Sequence, residues 1–406
     1  MDINKKRWVI LVACCLINLC LGSIYAWSVF SASMSEYLSV KLGTTITSAD
    51  LAIVYTVANS VGPITMISGG WFNDKFGPKI VLVIGTGMYG LGLILSGFAT
   101  SIPMLLVTYG IIGGLGLGMA YGCTISTAVK FFPDKSGLIG GITTAIYGLS
   151  SVIVSPMITL IVQNTDATFA FKIIGVVFLI IMVLCSLMVE ACPKGYVPSG
   201  FVQKEKNNLS SNDMDYRQML RTPIFYVMIL LLTCGAFSGM MIVSQAAGLA
   251  SSMVEMSAMA ASSAVSILAL FNAAGRILAG SLSDKIGRVS TLVIALLISI
   301  VGVSVLYFTG VGDTIQFYVG VSLVGISFGS FMGVFPGFTA DQFGMKNNSV
   351  NYGIMFIGFA AAGFFGPTVM KSVSSYQVAF VIAGILCVAG LGFCWIYNLL
   401  NKKEVL

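Results

Sequence analysis

The stretch GGWFNDKFGPK (69–79) has a partner in AGSLSDKIGR (279–288), and the pair decides the fold. Gly70 and Gly280, Asp74 and Asp284, and Gly77 and Gly287 are all separated by the same 210 positions. Gly148 and Gly358 keep that spacing, and Pro156 and Pro367 nearly keep it. A repeat of this length divides the chain into two related halves. In each copy glycine can supply the positive φ of a tight turn, while Asp and Lys can cap the helix ends that meet it. Asp74, Lys75, Gly77, Asp284, Lys285, Gly287 and Arg288 are therefore expected to be gate or hinge parts rather than ligands.

Outward from each loop the sequence is strongly apolar. Of 406 residues, 57% are hydrophobic and only 9% are charged, with a mean hydropathy of +0.96. Such a chain needs lipid as its solvent. A lipid-spanning helix takes about 20 apolar residues. Twelve such runs are predicted, at 8–30, 51–72, 80–100, 104–129, 138–162, 171–189, 224–249, 260–282, 289–309, 315–338, 350–370 and 378–400. The fold expected is an all-α integral membrane protein of twelve transmembrane helices in two pseudo-symmetric six-helix halves. Residues 1–189 form the N-terminal half, the polar stretch 190–221 a cytoplasmic linker, and 222–406 the C-terminal half. A parallel repeat of this kind suits a transporter that binds near the membrane midplane and rocks one half against the other.

Charge sets the expected orientation. Lys5, Lys6, Arg7, Lys75, Lys79, Lys130, Lys135 and the linker residues Lys194, Lys204 and Lys206 fall on one side, against Lys41, Lys172 and Lys371 on the other. Basic residues stay cytoplasmic, so both termini are expected inside a cell membrane, and the net charge of +6 is an insertion signal with no bearing on nucleic acid. The first apolar run is too long for a cleaved signal and is expected to be retained. The nine cysteines lie almost wholly within spans and the chain has no His, so small apolar packing is expected, with no metal and no cofactor. Glycines in GIIGGLGLGMAYG (110–122) and GISFGSFMGVFPG (325–337) let helices approach and slide.

One charge breaks the pattern. All acidic residues fall outside the spans, and Arg276 is the only basic residue deep inside one, Lys172 standing at the very edge of the sixth. It stands eight residues before Asp284, roughly 12 Å deep by helix rise. An unpaired cation there costs at least a few kcal/mol, and its counterpart in the repeat is Met66, so the scaffold does not require a charge. A bound anion offsets the cost. Backbone carbonyls or hydroxyls are the structural alternative. Arginine donates two parallel hydrogen bonds to one carboxylate. Asn272, one turn earlier on the same face, can orient the guanidinium or the substrate, or bond another helix.

The loop pattern D-K-x-G-[RP] resembles the signature loop of the major facilitator superfamily. GSIYAWSVF (22–30), YGCTISTAVKFFPDKSGL (121–138), MLRTPIFY (219–226), FNAAGRILAGSLSDKIGR (271–288) and NYG (351–353) resemble the oxalate:formate antiporter family and, more distantly, the monocarboxylate porters. The resemblance covers nearly the whole chain. It implies that Arg276 binds substrate and that Tyr25, Tyr121 and Tyr147 line the carboxylate site. Phe359 stands where the oxalate exchanger has a second cation, a lysine. Phe328, Met332 and Phe356 replace larger or polar-tipped aromatics, which makes the expected pocket more apolar. The expected substrate is a small monocarboxylate, carried with a proton or in exchange for a counter-anion by a protein functional as a monomer. An oxalate:formate-type antiporter and a non-transporting sensor are the alternatives. The monocarboxylate porters place an acid one turn before their arginine, where this chain has Asn272, so a coupling proton would travel with the substrate or on a rim group such as Glu36 or Asp50. A cation or drug pump would need acids inside the spans, and no catalytic set supports an enzyme.

Overall fold

The computed structural model of the chain describes residues 3–48, 50–193, 196, 198 and 213–403. Lys194, Lys204, Lys206 and the centre of the expected linker lie outside the described residues, as does the side chain of Lys371. Among the described residues every regular element is helical. The first half holds α1 (Ile3–Leu21), α2 (Trp27–Leu42), α3 (Ala52–Phe76), α4 (Pro78–Ser96), α5 (Ile102–Leu105), α6 (Gly114–Phe131), α7 (Ser136–Asn164) and α8 (Ala167–Met188). The second holds α9 (Tyr216–Arg221), α10 (Pro223–Val243), α11 (Ala246–Met253), α12 (Ala258–Ile286), α13 (Arg288–Tyr307), α14 (Thr314–Phe343), α15 (Asn348–Met355), α16 (Ile357–Ser372) and α17 (Tyr376–Lys403).

Several predicted spans are interrupted where sequence alone read one continuous run. A tight 3-10 segment, Gly22–Ala26, joins α1 to α2, and the helical path runs on to Leu42, well past residue 30. The fourth span begins in a wider π-helical segment, Leu106–Gly113. The seventh breaks at Ser244, whose hydroxyl bonds the Met241 carbonyl at 2.8 Å, and the eleventh breaks at Phe356.

Eleven described helices are long and apolar enough to cross a membrane by composition, against twelve expected. The difference is α3. It is a continuous helix of 25 residues, about 37 Å long, but Thr56, Asn59 and Ser60 dilute its apolar content. Those side chains bond back to the carbonyls of Ala52, Tyr55 and Thr56 at 3.1, 2.9 and 2.7 Å. Each thereby finds a hydrogen-bond partner within the helix itself, which lowers the cost of apolar surroundings.

The chain forms two compact units. Unit 1 comprises Met1–Phe131, Ile146–Ser199 and Asn348–Gly353, and unit 2 comprises Phe132–Ala145, Gly200–Asn347 and Ile354–Leu406. Each is drawn mainly from one sequence half and takes one short segment from the other. In unit 1, α6 packs on α3 and α4, and α8 on α4 and α1. In unit 2, α14 packs on α12, α13 and α10, and α10 on α16 and α17. Glycine brings the backbones close: a Cβ at Gly118 would stand 1.9 Å from the Gly62 carbonyl oxygen. Large apolar side chains such as Leu160, Phe364 and Trp395 point outward and are exposed, as a lipid-facing surface requires.

Candidate functional site

Arg276 lies on α12 in unit 2 and is only 4% exposed. Its Nε donates to Asn272 Oδ1 at 2.8 Å and its Nη1 to the Thr144 carbonyl at 2.6 Å. Nη2 makes no hydrogen bond, and the side chain no ion pair, among the described residues. Three glycines hold the arginine's backbone. A Cβ at Gly141 or at Gly333 would come within 2.2 Å of the Arg276 carbonyl oxygen, and one at Gly329 within 2.0 Å of the Asn272 carbonyl oxygen. Any larger residue would push α7 or α14 off α12 and lengthen the arginine's contacts. The cation is therefore fixed at its base, half-satisfied by neutral oxygens, and left with an unused donor edge.

The residues after Phe328 and Met332 on α14 are the glycines that touch α12, and both of those side chains are buried. Phe359 stacks on Phe356 with ring centroids 4.5 Å apart and lies 6.2 Å from Phe328, nearly parallel. Phe356 occupies the break between α15 and α16. Phe359 is thus part of an aromatic stack. In unit 1, Tyr147 on α7 meets Tyr25 edge-on at 5.3 Å and Tyr121 at 4.5 Å. Tyr25 sits in the 3-10 segment, where a Cβ at neighbouring Gly22 would reach 2.1 Å from the Tyr147 carbonyl oxygen. The structure brings the three tyrosines together in unit 1, and Arg276, Asn272 and the phenylalanines lie in unit 2.

The repeated loops organise buried polar clusters. Gly77 and Gly287 turn with φ of 86° and 94°, the left-handed region that favours glycine. In unit 2, Asp284 accepts from the N–H groups of Gly137 and Leu138, each at 2.9 Å. These are unpaired donors in the first turn of α7, at its positive dipole end. Arg288 donates to Asp284 at 2.7 Å, to Asp341 at 2.9 Å and to Ser136 at 2.6 Å. In unit 1, Asp74 accepts from Lys130 at 2.6 Å and from the Val350 N–H in the first turn of α15 at 3.1 Å. Asn73 donates to Ser349 at 2.8 Å and Ser126 at 3.2 Å. Lys75 is elsewhere: its ammonium lies over the rings of Trp71 and Phe76, at 4.8 and 5.2 Å. Lys285 makes no hydrogen bond or ion pair among the described residues. The aspartates cap helices, and the cations beside them are Lys130 and Arg288.

The sequence profile of the Major Facilitator Superfamily matches residues 16–367 and 240–404. The chain belongs to the major facilitator superfamily. It is 28% identical over 384 residues to the oxalate:formate antiporter of Oxalobacter formigenes, covering 94% of this chain and 88% of that one. It is 28% identical over 357 residues to the uncharacterized MFS-type transporter YhjX of Escherichia coli K12, covering 88% and 85%. Monocarboxylate transporter 12 of Xenopus laevis is 24% identical over 169 residues, 41% of this chain and 35% of that one. Among solved structures, a double-Trp mutant of XylE superposes with a TM-score of 0.77 at 16% identity, covering 97% and 96%, a likeness in fold. The chain is accordingly a multi-pass membrane protein of a transporter family.

Within this facilitator fold, sequence reasoning missed Thr144, Lys130, Asp341 and the glycines at 141, 329 and 333. The glycine pair in GGITT (140–144) was the available signal for a close crossing. The Thr144 carbonyl gave none, because any residue type supplies one. Asp50 accepts from the Thr47 N–H and the Thr47 hydroxyl, both at 2.8 Å. Those bonds, the backbone one first, hold its carboxyl below the usual range, which makes it a poor proton carrier near neutral pH.

Proposed function

We propose that this facilitator is a secondary active transporter of a small monocarboxylate anion of the lactate, pyruvate or formate type. It works by alternating access as a monomer, in a cell membrane with both termini cytoplasmic. The observation that carries this reading is Arg276: a buried cation that, among the described residues, has no acid partner and leaves Nη2 unbonded. A carboxylate bonded to that nitrogen supplies the charge that the Thr144 and Asn272 oxygens lack. The stack of Phe328, Phe356 and Phe359 suits a short apolar tail and offers nothing to a second carboxylate. Tyr25, Tyr121 and Tyr147 contribute hydroxyl groups in unit 1. The empty carrier keeps its charge, which favours exchange of one anion for another.

A second reading, oxalate against formate, is favoured by the oxalate:formate antiporter's similarity over most of the chain. Counterflow of labelled lactate in proteoliposomes separates the two, with formate, acetate, pyruvate, oxalate and malate as competitors. Competition by pyruvate and formate but not oxalate is expected, and preference for oxalate would overturn the monocarboxylate reading. Binding without counterflow would identify a sensor. Arg276→Gln is expected to abolish counterflow while the purified protein stays folded.

A further inference from the structure

Phe328 is seated on bare backbone. A Cβ at Gly239 of α10 would stand 2.6 Å from the Phe328 Cδ2 and closer still to its Cβ and Cγ. Cβ and Cγ are the base of the side chain, so turning the ring about its own axis does not relieve that contact and the whole residue must move. One turn earlier on α10, Gly235 meets the ring of Phe331 in the same way. The run GAFSG (235–239) thus sets two glycines at i and i+4, on one face, against two rings of α14. Both rings are buried.

The ring that Phe328 faces is fixed to the same helix. Phe359 follows Gly358, where a Cβ would stand 2.7 Å from the Ile229 carbonyl oxygen, and the Thr233 hydroxyl lies 3.1 Å from the Gly358 carbonyl oxygen as its donor. Ile229, Thr233 and Gly239 all belong to α10, so one helix sets where both rings stand. Phe328 and Phe359 lie within 11° of parallel with centroids 6.2 Å apart, inside the range of about 4.5–7 Å at which aromatic rings touch. The pair is closed to a hydrocarbon chain. Phe328 also precedes Gly329, the residue at which α14 meets the Asn272 carbonyl, so the closed pair stands one residue from the crossing that holds Arg276. All of these residues are in unit 2.

We infer that Gly239 is a positioning residue that sets the tail length of the carboxylate: with Phe328 drawn back onto α10, the ring pair forms a floor that stops a tail longer than that of lactate, pyruvate or propionate. The inference rests on the monocarboxylate reading and narrows its substrate class to short-chain acids. A Cβ at position 239 drives Phe328 off α10 by about 1 Å and advances the floor, whereas loss of the ring removes it. Rings that served packing alone would change stability in both variants and leave the order of substrates as it was.

The test is counterflow of labelled acetate in proteoliposomes of the full chain. Propionate, butyrate and hexanoate compete, and each inhibition constant is divided by that of acetate. The unaltered chain is expected to lose affinity beyond propionate. Phe328→Ala should extend the series, each added methylene strengthening competition about fourfold, the effect of burying one methylene. Gly239→Ala should shorten it, weakening propionate about tenfold relative to acetate, as overpacking of a filled site does. Hexanoate accepted as well as acetate by the unaltered chain, or ratios that neither variant shifts, would overturn the inference. Thermal midpoints of the purified variants report folding, and either variant decides alone if the other does not fold. Arg276→Gln tells the two failures apart. If it abolishes counterflow while the length series is unmoved, the inference alone is lost; if counterflow persists, the monocarboxylate reading falls and the inference with it.

Discussion

At the scale of single residues, the proposed recognition of charge rests on Arg276 and Phe359. The guanidinium spends Nε on Asn272 and Nη1 on the Thr144 carbonyl, so in the proposed reading one edge remains for one carboxylate. If position 359 faces the substrate, as proposed, a cation there would meet the second carboxylate of a dicarboxylic acid, and here a ring stacks on Phe356 instead. Phe359→Lys is therefore predicted to admit oxalate. Its apparent affinity in counterflow should rise about tenfold, the effect of one charge-assisted hydrogen bond of about 1.5 kcal/mol, while that for lactate falls. No gain for oxalate would mean that position 359 does not face the substrate. Arg276 was legible in sequence because a charge inside an apolar run needs no tertiary information to be noticed. Its carbonyl partner was not, because Thr144 lies 132 residues away and contributes only main chain.

Among elements, the crossings of α12 with α7 and α14 decide whether the arginine is held. At Gly333 an added Cβ would stand 2.2 Å from the Arg276 carbonyl oxygen and 2.9 Å from its Cα. Gly333→Ala is predicted to cost about 1–3 kcal/mol of stability by overpacking, and to lower counterflow more than thermal stability alone explains. Gly363→Ala is the control, because its Cβ meets only the flexible end of Met240, at 2.8 Å. Helix ends carry a pH signature of their own. Asp166 caps α8 by accepting from the Phe169 N–H at 2.9 Å, and it also accepts from the Thr168 hydroxyl at 2.6 Å. The Thr168 bond first, then the Phe169 bond, hold its carboxyl below the usual range. A depressed folded-state pKa stabilises above the unfolded value of about 3.9 and is lost as pH falls through the folded value. The difference in thermal midpoint between the unaltered chain and Asp166→Asn should stay constant from about pH 8 to 5 and close below about pH 4. A gap that closes between pH 7 and 6 would assign the effect to another group.

For the whole molecule, the two units trade short segments: the start of α7 clusters with unit 2, and most of α15 with unit 1. Each traded segment begins at N–H groups that a repeated-loop aspartate accepts, Asp284 for α7 and Asp74 for α15. Exchange as the transport mode is tested at this scale. Return of an empty carrier with an unneutralised buried charge adds at least a few kcal/mol, where about 1.4 kcal/mol is tenfold in rate. Uptake of labelled lactate into anion-free liposomes should be at least about tenfold slower than into liposomes loaded with unlabelled lactate. Equal rates would exclude obligatory exchange.

The sequence by itself determined that this chain lives in lipid, that it is built on a repeat, where its turns fall and that Arg276 is out of place. Those properties are written in local composition, in the reach of one helix and in the covalent spacing of two loops. It could not show that α3 stays a single helix through Thr56, Asn59 and Ser60, nor that two spans break at Ser244 and Phe356. Only the tertiary structure decided that Lys130 and Arg288, and not Lys75 and Lys285, stand beside the loop aspartates. The same holds for the tyrosine cluster around Tyr147 and for the glycines that pin Arg276. Each depends on which helix faces which at a distance of a few ångströms, and hydropathy, which sorts residues only between lipid and water, carries no record of that pairing.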